Sequence, residues 1–336
     1  MSWIHRDPNR ATSTMEPVRV TVLADGRVGP RFIAGVQACL GARDRLTVIA
    51  NTADDHWFLG LRICPDLDEI MTTLSPHGLE GPVETWNAQD VLTAHGTGGR
   101  SLRLSDRALA TCLVRTDALR SGKTLTQATR RLMDRWELST ELLPMSDDEL
   151  QTRLRVEVGG HSRVMSHAEY WERHQGLAPV TDVRLHGLEI ANPAPGVMRA
   201  VMEADVVLLP PADPAAAMGP LVRLAGLGAA LRTTTAPIIG VSPVVGKAAV
   251  PGASDELMVG LGLDVGAPAV AAHYGSRRST GVLDGWLVDS SDLDRVRAVE
   301  ELGVECRTTT IDVHHPETMA RDALQLAAAI GHRPER

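Results

Sequence analysis

The sequence predicts an α/β fold with a Rossmann-like, doubly wound, mostly parallel sheet. A short apolar run at residues 18–24 is followed by two glycines and then by a helical pattern. Similar runs, separated by helical stretches, return further along the chain, at 46–50, 205–209, 237–241 and 285–288. Strands that are apolar throughout are typical of parallel sheets covered by helices on both faces.

The first strand and its turn open a parallel βαβ unit. Residues 18–24 (VRVTVLA) lead into Gly26 and Gly29, a helical pattern covers 31–40, and a second strand follows at 46–50 (LTVIA). Strand, glycine turn, helix and strand in this order is the opening of a doubly wound sheet. Ligands of such sheets bind at the carboxyl ends of the strands.

The middle of the chain has a different pattern. Residues 105–120 and 125–136 are helical, with periodic apolar positions that favour core packing over a cofactor site. Residues 153–158 (RLRVEV) alternate polar and apolar side chains, as a half-exposed strand does. We therefore expect an inserted helical and β subdomain at about 75–180.

The predicted boundaries follow from these patterns. A last helix covers about 316–330, so a single α/β domain is expected over 17–330. Residues 1–16 are polar and charged, which predicts a flexible N-terminal extension without a secretory signal.

Composition excludes several classes of protein. The 336 residues are 43% hydrophobic and 23% charged, with a net charge of −8, which disfavours disorder and general nucleic-acid binding. No apolar run approaches the ~20 residues of a membrane span. The four cysteines are scattered without a CxxC pair, as in a protein with reduced thiols. We expect a cytoplasmic protein without nucleic-acid or membrane partners.

The first glycine loop is a candidate for binding a phosphate. Gly26 and Gly29 let the backbone approach an anion, and the following helix, which includes Arg31, offers free N–H groups. Asp25 adds repulsion and Pro30 removes a donor, so a tight turn without a ligand remains an alternative. The loop completes neither GxGxxG nor a Walker motif, which disfavours an NAD-dependent dehydrogenase.

An acidic segment follows the second strand. Asp54, Asp55, Asp66 and Asp68 lie within fifteen residues at a strand's carboxyl end, where they are suited to a hard cation that bridges phosphates. Trp57 offers a flat face on which a planar ring can stack. The alternative is a solvated loop in which Asp66 or Asp68 caps a helix. Of the twelve histidines, only one, at position 56, lies in this segment.

Further candidates lie along the rest of the chain. Arginines at three positions suit a phosphate or a polar ring edge, although surface ion pairs are the alternative. Strand ends and turns supply hydroxyls, carboxylates, glycines and one lysine. These candidates are Arg103, Arg107, Arg115, Ser146, Asp147, Asp213, Gly219, Ser242, Gly246 and Lys247.

Four motifs in series resemble one known family. NTADDHWFLGLRICPDLD, SDRALATCLVRT, LLPMSDD and SPVVGKAAVPG are similar, in order and spacing, to the 2-phospho-L-lactate transferase family of the CofD/FbiA type. The resemblance covers about 18–326. It implies a Rossmann-like fold and, with Mg²⁺, transfer of a phospholactyl or phosphoenolpyruvyl group from a guanosine diphosphate ester to the deazaflavin precursor Fo. GMP leaves, and the product belongs to coenzyme F-420 biosynthesis.

The resemblance also implies roles for residues. Asp54, Asp55 and Arg107 are the expected catalytic residues, and Asp54 and Asp55 are the expected Mg²⁺ ligands. A homodimer is expected. The expected substrate-binding residues are Asn51, Thr52, Trp57, Asp66, Asp68, Arg103, Arg115, Ser146 and Asp147. The expected nucleotide-binding residues are Gly26, Gly29, Arg31, Asp213, Gly219, Ser242, Gly246 and Lys247.

The chain departs from the family pattern on the donor side. The family's LAGGVGGAR is here LADGRVGPR, its SNP-x-x-SIG turn has become residues 212–219 (ADPAAAMG), and its GDRD is residues 105–108 (SDRA). We therefore expect a changed or weakened guanosine diphosphate site. The alternatives are a paralogue with another donor or acceptor, and a non-catalytic nucleotide- or deazaflavin-binding regulator like the related gluconeogenesis-factor proteins.

Overall fold

The computed structural model describes residues 17–75, 83–97, 103–134 and 140–331, so the predicted extension 1–16 lies outside the described residues. The strands are β1 (Arg19–Ala24), β2 (Arg45–Ala50), β3 (His56–Phe58), β4 (Leu61–Ile63), β5 (Thr140–Pro144), β6 (Gln151–Val158), β7 (His161–Ser166), β8 (Val180–His186), β9 (Val206–Leu209), β10 (Ile238–Val241), β11 (Val244–Val245), β12 (Ala248–Ala249), β13 (Gly285–Asp289) and β14 (Glu305–Thr309).

Helices connect and cover these strands. They are α1 (Gly29–Cys39), α2 (Pro65–Leu74), α3 (Asn87–Ala94), α4 (Asp106–Arg120), α5 (Leu125–Met133), α6 (His167–His174), α7 (Val197–Met202), α8 (Met218–Arg223), α9 (Ala225–Thr233), α10 (Asp255–Gly260), α11 (Ala267–Tyr274), α12 (Val296–Glu300) and α13 (Glu317–Gly331), with a 3-10 helix at Ser290–Arg295. Among the described ranges, no helix is long and apolar enough to cross a membrane.

Seven parallel strands form the central sheet, in the order β14-β13-β10-β9-β1-β2-β5. The chain moves outward from β1 through β2 to β5, and then returns to β9 on the other side of β1. The strand order therefore reverses between β1 and β9, which is where doubly wound sheets bind ligands. The predicted Rossmann-like fold is confirmed.

The predicted insertion is divided by a strand of the main sheet. β5 pairs with β2, so the part of the chain that contains α2 to α5 connects two neighbouring strands of the central sheet. A separate antiparallel sheet, in the order β7-β6-β8, follows β5, and α6 lies between β7 and β8. The opposite edge strand, β14, is not among the strands predicted from the sequence.

The core lies on both faces of the central sheet. β1 is buried at every position after its first, and side chains from its two faces enter two large apolar clusters. A third, smaller cluster lies beneath the antiparallel sheet and includes Leu154 and Tyr170. The four cysteines are free. This packing holds the carboxyl ends of β1, β2 and β9 at one edge of a rigid sheet.

Asp106 joins the starts of α3 and α4. Its carboxylate accepts hydrogen bonds from Ala88 N (3.0 Å), Thr85 Oγ1 (2.7 Å) and Asn87 Nδ2 (2.9 Å). The Ala88 N–H, followed by the Thr85 and Asn87 donors, lowers the pKa of Asp106 from 3.8 to about 2. Asp106 thus has a structural use within the SDRA motif, because it fixes the segment before α3 onto α4.

Asp106→Asn should destabilise the fold in a pH-dependent way. Because the folded-state pKa is lowered, the contribution of this carboxylate is present above the unfolded value of 3.8 and is lost as the pH falls toward about 2. Urea unfolding at a series of pH values should show a difference from wild type that shrinks over this window. Asp90→Asn, on the exposed side of α3, is the control for losing one charge. Equal behaviour of the two variants at every pH would contradict this role.

Candidate functional site

Four carboxylates meet beside the switch point. Asp25 follows β1, Asp54 follows β2, Asp213 follows β9, and Asp66 lies in the first turn of α2. We call Asp25, Asp54, Asp66 and Asp213 the carboxylate cluster. All four are buried or nearly so; the most exposed, Asp54, has 8% of its side chain accessible. Sequence reasoning identified three of them as ligand contacts, and Asp25 as an obstacle to anion binding.

Asn51 ties the cluster together. Its Nδ2 donates to Asp66 Oδ2 (2.8 Å) and lies 3.5 Å from the Ala216 carbonyl, while its Oδ1 accepts from Ala53 N (3.0 Å). One buried amide therefore links the loop after β2 to α2 and to the turn after β9. Its predicted place at the site is consistent with this position.

Asp66 lies among like charges. Burial raises the pKa of Asp66 well above its ordinary value, and the nearby Asp54 and Asp25 raise it further, whereas the Asn51 amide and the Gly26 N–H lower it. The first loop packs directly on Asp66, because a Cβ at Gly26 would lie 2.7 Å from Asp66 Cα. Glycine at 26 thus permits a close approach between the loop and α2.

Only one of the two carboxylate oxygens of Asp54 has a hydrogen-bond partner among the described residues. Its Oδ2 lies 2.5 Å from Nδ1 of His167, the first residue of α6, while Oδ1 is buried without a hydrogen-bond partner among the described residues. His167 Nε2 in turn accepts from Trp171 Nε1 (2.7 Å). Sequence reasoning missed His167. The contact joins positions 113 residues apart, and no metal-ligand spacing marks this histidine.

Asp55 belongs to a different group of side chains. It is buried, and its Oδ2 lies 3.5 Å from Arg62 Nη2. Burial raises the pKa of Asp55 to about 7, with Arg62 opposing the shift. Arg62 also lies 3.4 Å from the Glu149 carboxylate. The structure therefore separates the interactions of Asp55 from those of Asp54, although the sequence predicted that both hold one ion.

Asp68 and Arg115 pair with each other. Arg115 is completely buried, and it contacts both Asp68 oxygens and donates to the Arg62 carbonyl (3.4 Å). Burial raises the pKa of Asp68, and Arg115 lowers it. We call Asp55, Asp68, Arg62 and Arg115 the arginine network. It joins α4 to β4 and α2. Both terminal nitrogens of Arg115, predicted to contact substrate, have partners within the protein, whereas its Nε has none among the described residues.

Trp57 and Thr52 occupy contrasting positions. Trp57 is 47% exposed, and its Nε1 donates to Glu149 (2.9 Å), while the Arg62 guanidinium lies 5.8 Å from the ring centre. The indole is thus oriented by its neighbours and still accessible. Thr52 is fully buried, and its hydroxyl has no hydrogen-bond partner among the described residues.

Ser146 and Asp147 form hydrogen bonds within the protein. Ser146 Oγ donates to the Asn192 carbonyl (2.6 Å), and Asp147 Oδ1 accepts from Thr126 N (2.6 Å) in the first turn of α5. Both residues anchor the segment after β5 to its surroundings.

Arg103 and Arg107 lie near the start of α4. Arg103 stacks on Trp86, with its guanidinium carbon 4.7 Å from the ring centre. Arg107 is exposed. Within the described ranges, neither side chain forms an ion pair with the carboxylate cluster.

Carboxylates occupy the N–H groups of the two turns predicted to bind nucleotide. Asp25 Oδ1 accepts from Gly29 N (2.9 Å) and more weakly from Val28 N (3.3 Å) at the start of α1. Asp213 Oδ1 accepts from the backbone N–H groups of residues 215 and 216 (2.7 and 3.0 Å), while its Oδ2 is buried without a described partner. Burial raises the pKa of both Asp25 and Asp213.

The turn after β10 is partly buried and partly exposed. Ser242 is buried, and its hydroxyl donates to the carbonyl and accepts from the N–H of Val244. Gly246 and Lys247 form the exposed tip between β11 and β12, where Gly246 has a positive φ of 64°.

Gly219 and Arg31 complete the predicted nucleotide residues. Gly219 lies in α8 against the turn after β9, since a Cβ there would lie 2.9 Å from the Pro214 carbonyl oxygen. Arg31 is exposed, and its Nη1 lies 2.7 Å from His314 Nδ1.

The carboxylate cluster suits a positive charge or a proton. Among the described residues, no group of three or more His, Cys, Asp or Glu side chains has the arrangement of a metal site. Mg²⁺ commonly takes only one or two carboxylates and completes its shell with water and substrate phosphates. The unpartnered Asp54 Oδ1 and the neighbouring Asp66 fit that requirement. Both Asp55 oxygens also lack a hydrogen-bond partner among the described residues, but the Arg62 guanidinium, 3.5 Å from Asp55 Oδ2, already supplies a positive charge there.

Comparison with known proteins shows to which family the chain is similar. The model of the family described as 2-phospho-L-lactate transferase CofD matches residues 20–327. A phosphoenolpyruvate transferase of Kitasatospora aureofaciens is 38% identical over 323 residues, covering 94% of this chain and 99% of that protein. One of Streptomyces coelicolor is 40% identical over 321 residues, covering 93% and 99%.

A crystal structure of a UPF0052 family member from Bacillus halodurans has the same fold. It superposes with a TM-score of 0.64 at 17% identity and covers 93% of this chain and 99% of that one. The family model and the relatives cover nearly the whole chain, including every member of the carboxylate cluster. The chain therefore belongs to the 2-phospho-L-lactate transferase CofD family of phosphoryl-group transferases.

Proposed function

We propose that this transferase moves a phosphoenolpyruvyl or phospholactyl group from a guanosine diphosphate ester to a hydroxyl of the deazaflavin Fo, releasing GMP, in coenzyme F-420 biosynthesis. The observation that carries the proposal is Asp54, whose one free oxygen is buried at the switch point of the sheet. Family membership and the phosphoenolpyruvate transferases among the relatives support the reaction class.

The reaction requires positioning and charge neutralisation. The hydroxyl oxygen of the acceptor forms a bond to the transferred phosphorus, the bond from that phosphorus to the GMP oxygen breaks, and the hydroxyl proton passes to water, since Asp54 Oδ1 is the oxygen left for the cation. Residues that orient the groups suffice for such a displacement, because little covalent chemistry falls to the protein. His167 holds Asp54 Oδ2 while this happens.

Asp54 and Asp66 would hold Mg²⁺, which when bound neutralises charge on the phosphates. This pair differs from the pair suggested by the sequence, Asp54 with Asp55. Asp66 lies close enough to Asp54 for their charges to interact, whereas Asp55 lies against Arg62.

The acceptor side uses the exposed surface near β3. The accessible indole of Trp57 offers a stacking face for the flat deazaflavin ring. Arg103 and Arg107 supply guanidinium groups for its polar edges. The arginine network orients this surface, since Arg62 contacts both Trp57 and Asp55.

A second candidate function is favoured by the donor-side turns. The Asp25 and Asp213 carboxylates take N–H groups that a diphosphate would otherwise use. A transferase with a different donor, or a deazaflavin-binding regulator without turnover, would fit this occupancy. Only the first candidate forms a product from a mixture of Fo, Mg²⁺ and a guanosine diphosphate ester.

The deciding experiment incubates the purified protein with Fo, Mg²⁺ and freshly made lactyl- or enolpyruvyl-diphosphoguanosine, with products read by mass spectrometry. A phosphodiester of Fo together with GMP supports the proposed transfer. Absence of product while Fo remains bound contradicts it and supports the second candidate.

Substitutions in the acidic segment should distinguish the two proposed Mg²⁺ pairs. Asp54→Asn and Asp66→Asn should each weaken Mn²⁺ binding by on the order of tenfold or more, since each removes a ligand charge. Asp55→Asn should leave the Mn²⁺ affinity near wild type because Asp55 faces Arg62. Electron paramagnetic resonance of free Mn²⁺ measures all three. Loss of Mn²⁺ affinity in Asp54→Asn and Asp55→Asn, with Asp66→Asn near wild type, would restore the pair suggested by the sequence.

Removing the Asp25 carboxylate should strengthen binding of guanine nucleotide. Asp25→Gly frees the N–H groups of Val28 and Gly29 and removes a buried negative charge, so we expect tighter GDP binding in calorimetry. Asp182→Asn, an ion-paired residue of β8, is the control for the change of net charge. Unchanged or weaker GDP binding by Asp25→Gly would show that Asp25 does not limit the donor site.

A further inference from the structure

We propose that Trp171 and His167 are positioning residues that hold Asp54 with only Oδ1 free for substrate. Trp171 sets the tautomer of His167, and His167 clamps Asp54 Oδ2. The catalytic consequence rests on the proposed function, but the hydrogen-bond arrangement does not.

The tautomer follows from what each group can do. An indole N–H only donates, and Trp171 Nε1 lies 2.7 Å from His167 Nε2, so Nε2 must accept and carries no proton. A neutral imidazole then has its proton at Nδ1. That proton is donated to Asp54 Oδ2, 2.5 Å away. Only this arrangement makes both hydrogen bonds.

Burial keeps both ring nitrogens of His167 with their protein partners. The side chain of His167 is 3% exposed, so water does not readily replace either partner of its ring. With Oδ2 occupied, the Asp54 carboxylate cannot rotate freely, and Oδ1 becomes the single oxygen available to a cation. Holding a reacting oxygen in one orientation is a recognised source of rate enhancement.

The surroundings of Trp171 hold the indole in place. Gly176 leaves room for the ring, because a Cβ there would lie 2.8 Å from Trp171 Cη2. The Arg27 guanidinium lies 4.3 Å above the ring centre. Trp171 thus connects the first loop, through His167, to Asp54.

Trp171→Phe separates packing from hydrogen bonding. Phenylalanine keeps an aromatic ring beneath Arg27 but has no N–H, so Nε2 of His167 loses the donor that keeps it unprotonated. Tyr170→Phe is the matched control, because it removes a buried hydroxyl on the same helix whose partner is the Ala178 carbonyl (2.9 Å).

Two readouts test the proposal. In ¹⁵N-histidine-labelled protein, the nitrogen–proton correlation spectrum should show the Nδ1–H tautomer for His167 in wild type and Tyr170→Phe, with loss of that state in Trp171→Phe. In the transfer assay, Trp171→Phe should lower kcat on the order of 10- to 100-fold, with KM within about twofold of wild type. Tyr170→Phe should retain kcat.

A pair of substitutions at His167 provides a rescue test. His167→Asn places an amide N–H where Nδ1 donates, and should retain more of kcat than His167→Phe, which has no donor. An Nε2–H tautomer in wild type, or wild-type kcat with an unchanged spectrum in Trp171→Phe, would overturn the proposal. The spectrum requires no turnover, so absence of transfer in wild type would reject the proposed function and leave the positioning inference to be decided by the tautomer.

Discussion

Burying four carboxylates at one edge of a parallel sheet is the constraint on which the site depends. Each needs compensation, because an ionised group removed from water is costly. Asp25 and Asp213 take backbone N–H groups, Asp66 takes the Asn51 amide, and Asp54 takes His167. The compensation is incomplete, as the raised pKa values of Asp25, Asp66 and Asp213 indicate. A site that retains this cost is suited to a ligand that supplies positive charge.

Two acidic pairs in the sequence are divided between two structural roles. Asp54 and Asp66 enter the carboxylate cluster, while their near neighbours Asp55 and Asp68 enter the arginine network. The network has its own charge balance, with Arg62 and Arg115 opposite the two carboxylates. It fixes β4, α2 and α4 relative to one another, and so supports the segment that carries Asp54. The acidic motifs are therefore divided between the proposed site and the architecture that supports it.

The sequence predicts the fold well because the inner strands are continuously apolar. β14 (ECRTT) was missed since this edge strand is buried at only two of its five positions and carries polar side chains. Strand-end position drew attention to Asp54 and Asp66, which the structure brings together in the carboxylate cluster. Which oxygen faces which partner depends on side-chain rotation and on α6, which the chain reaches more than a hundred residues later. No spacing rule links Trp171 to Asp54, so the positioning residues required the structure.

The altered first loop has consequences beyond the donor side. Asp25 caps the start of α1, and the charge of this carboxylate raises the pKa of Asp66. Two residues later, Arg27 stacks on Trp171, whose N–H sets the partner of Asp54. One short loop therefore contacts the start of α1, the proposed cation ligand Asp66 and, through Arg27, the positioning residue Trp171. Under the proposed function, a change in this loop that alters the choice of donor would also alter the charge around Asp66 and the position of Trp171, so donor specificity and the orientation of Asp54 would change together.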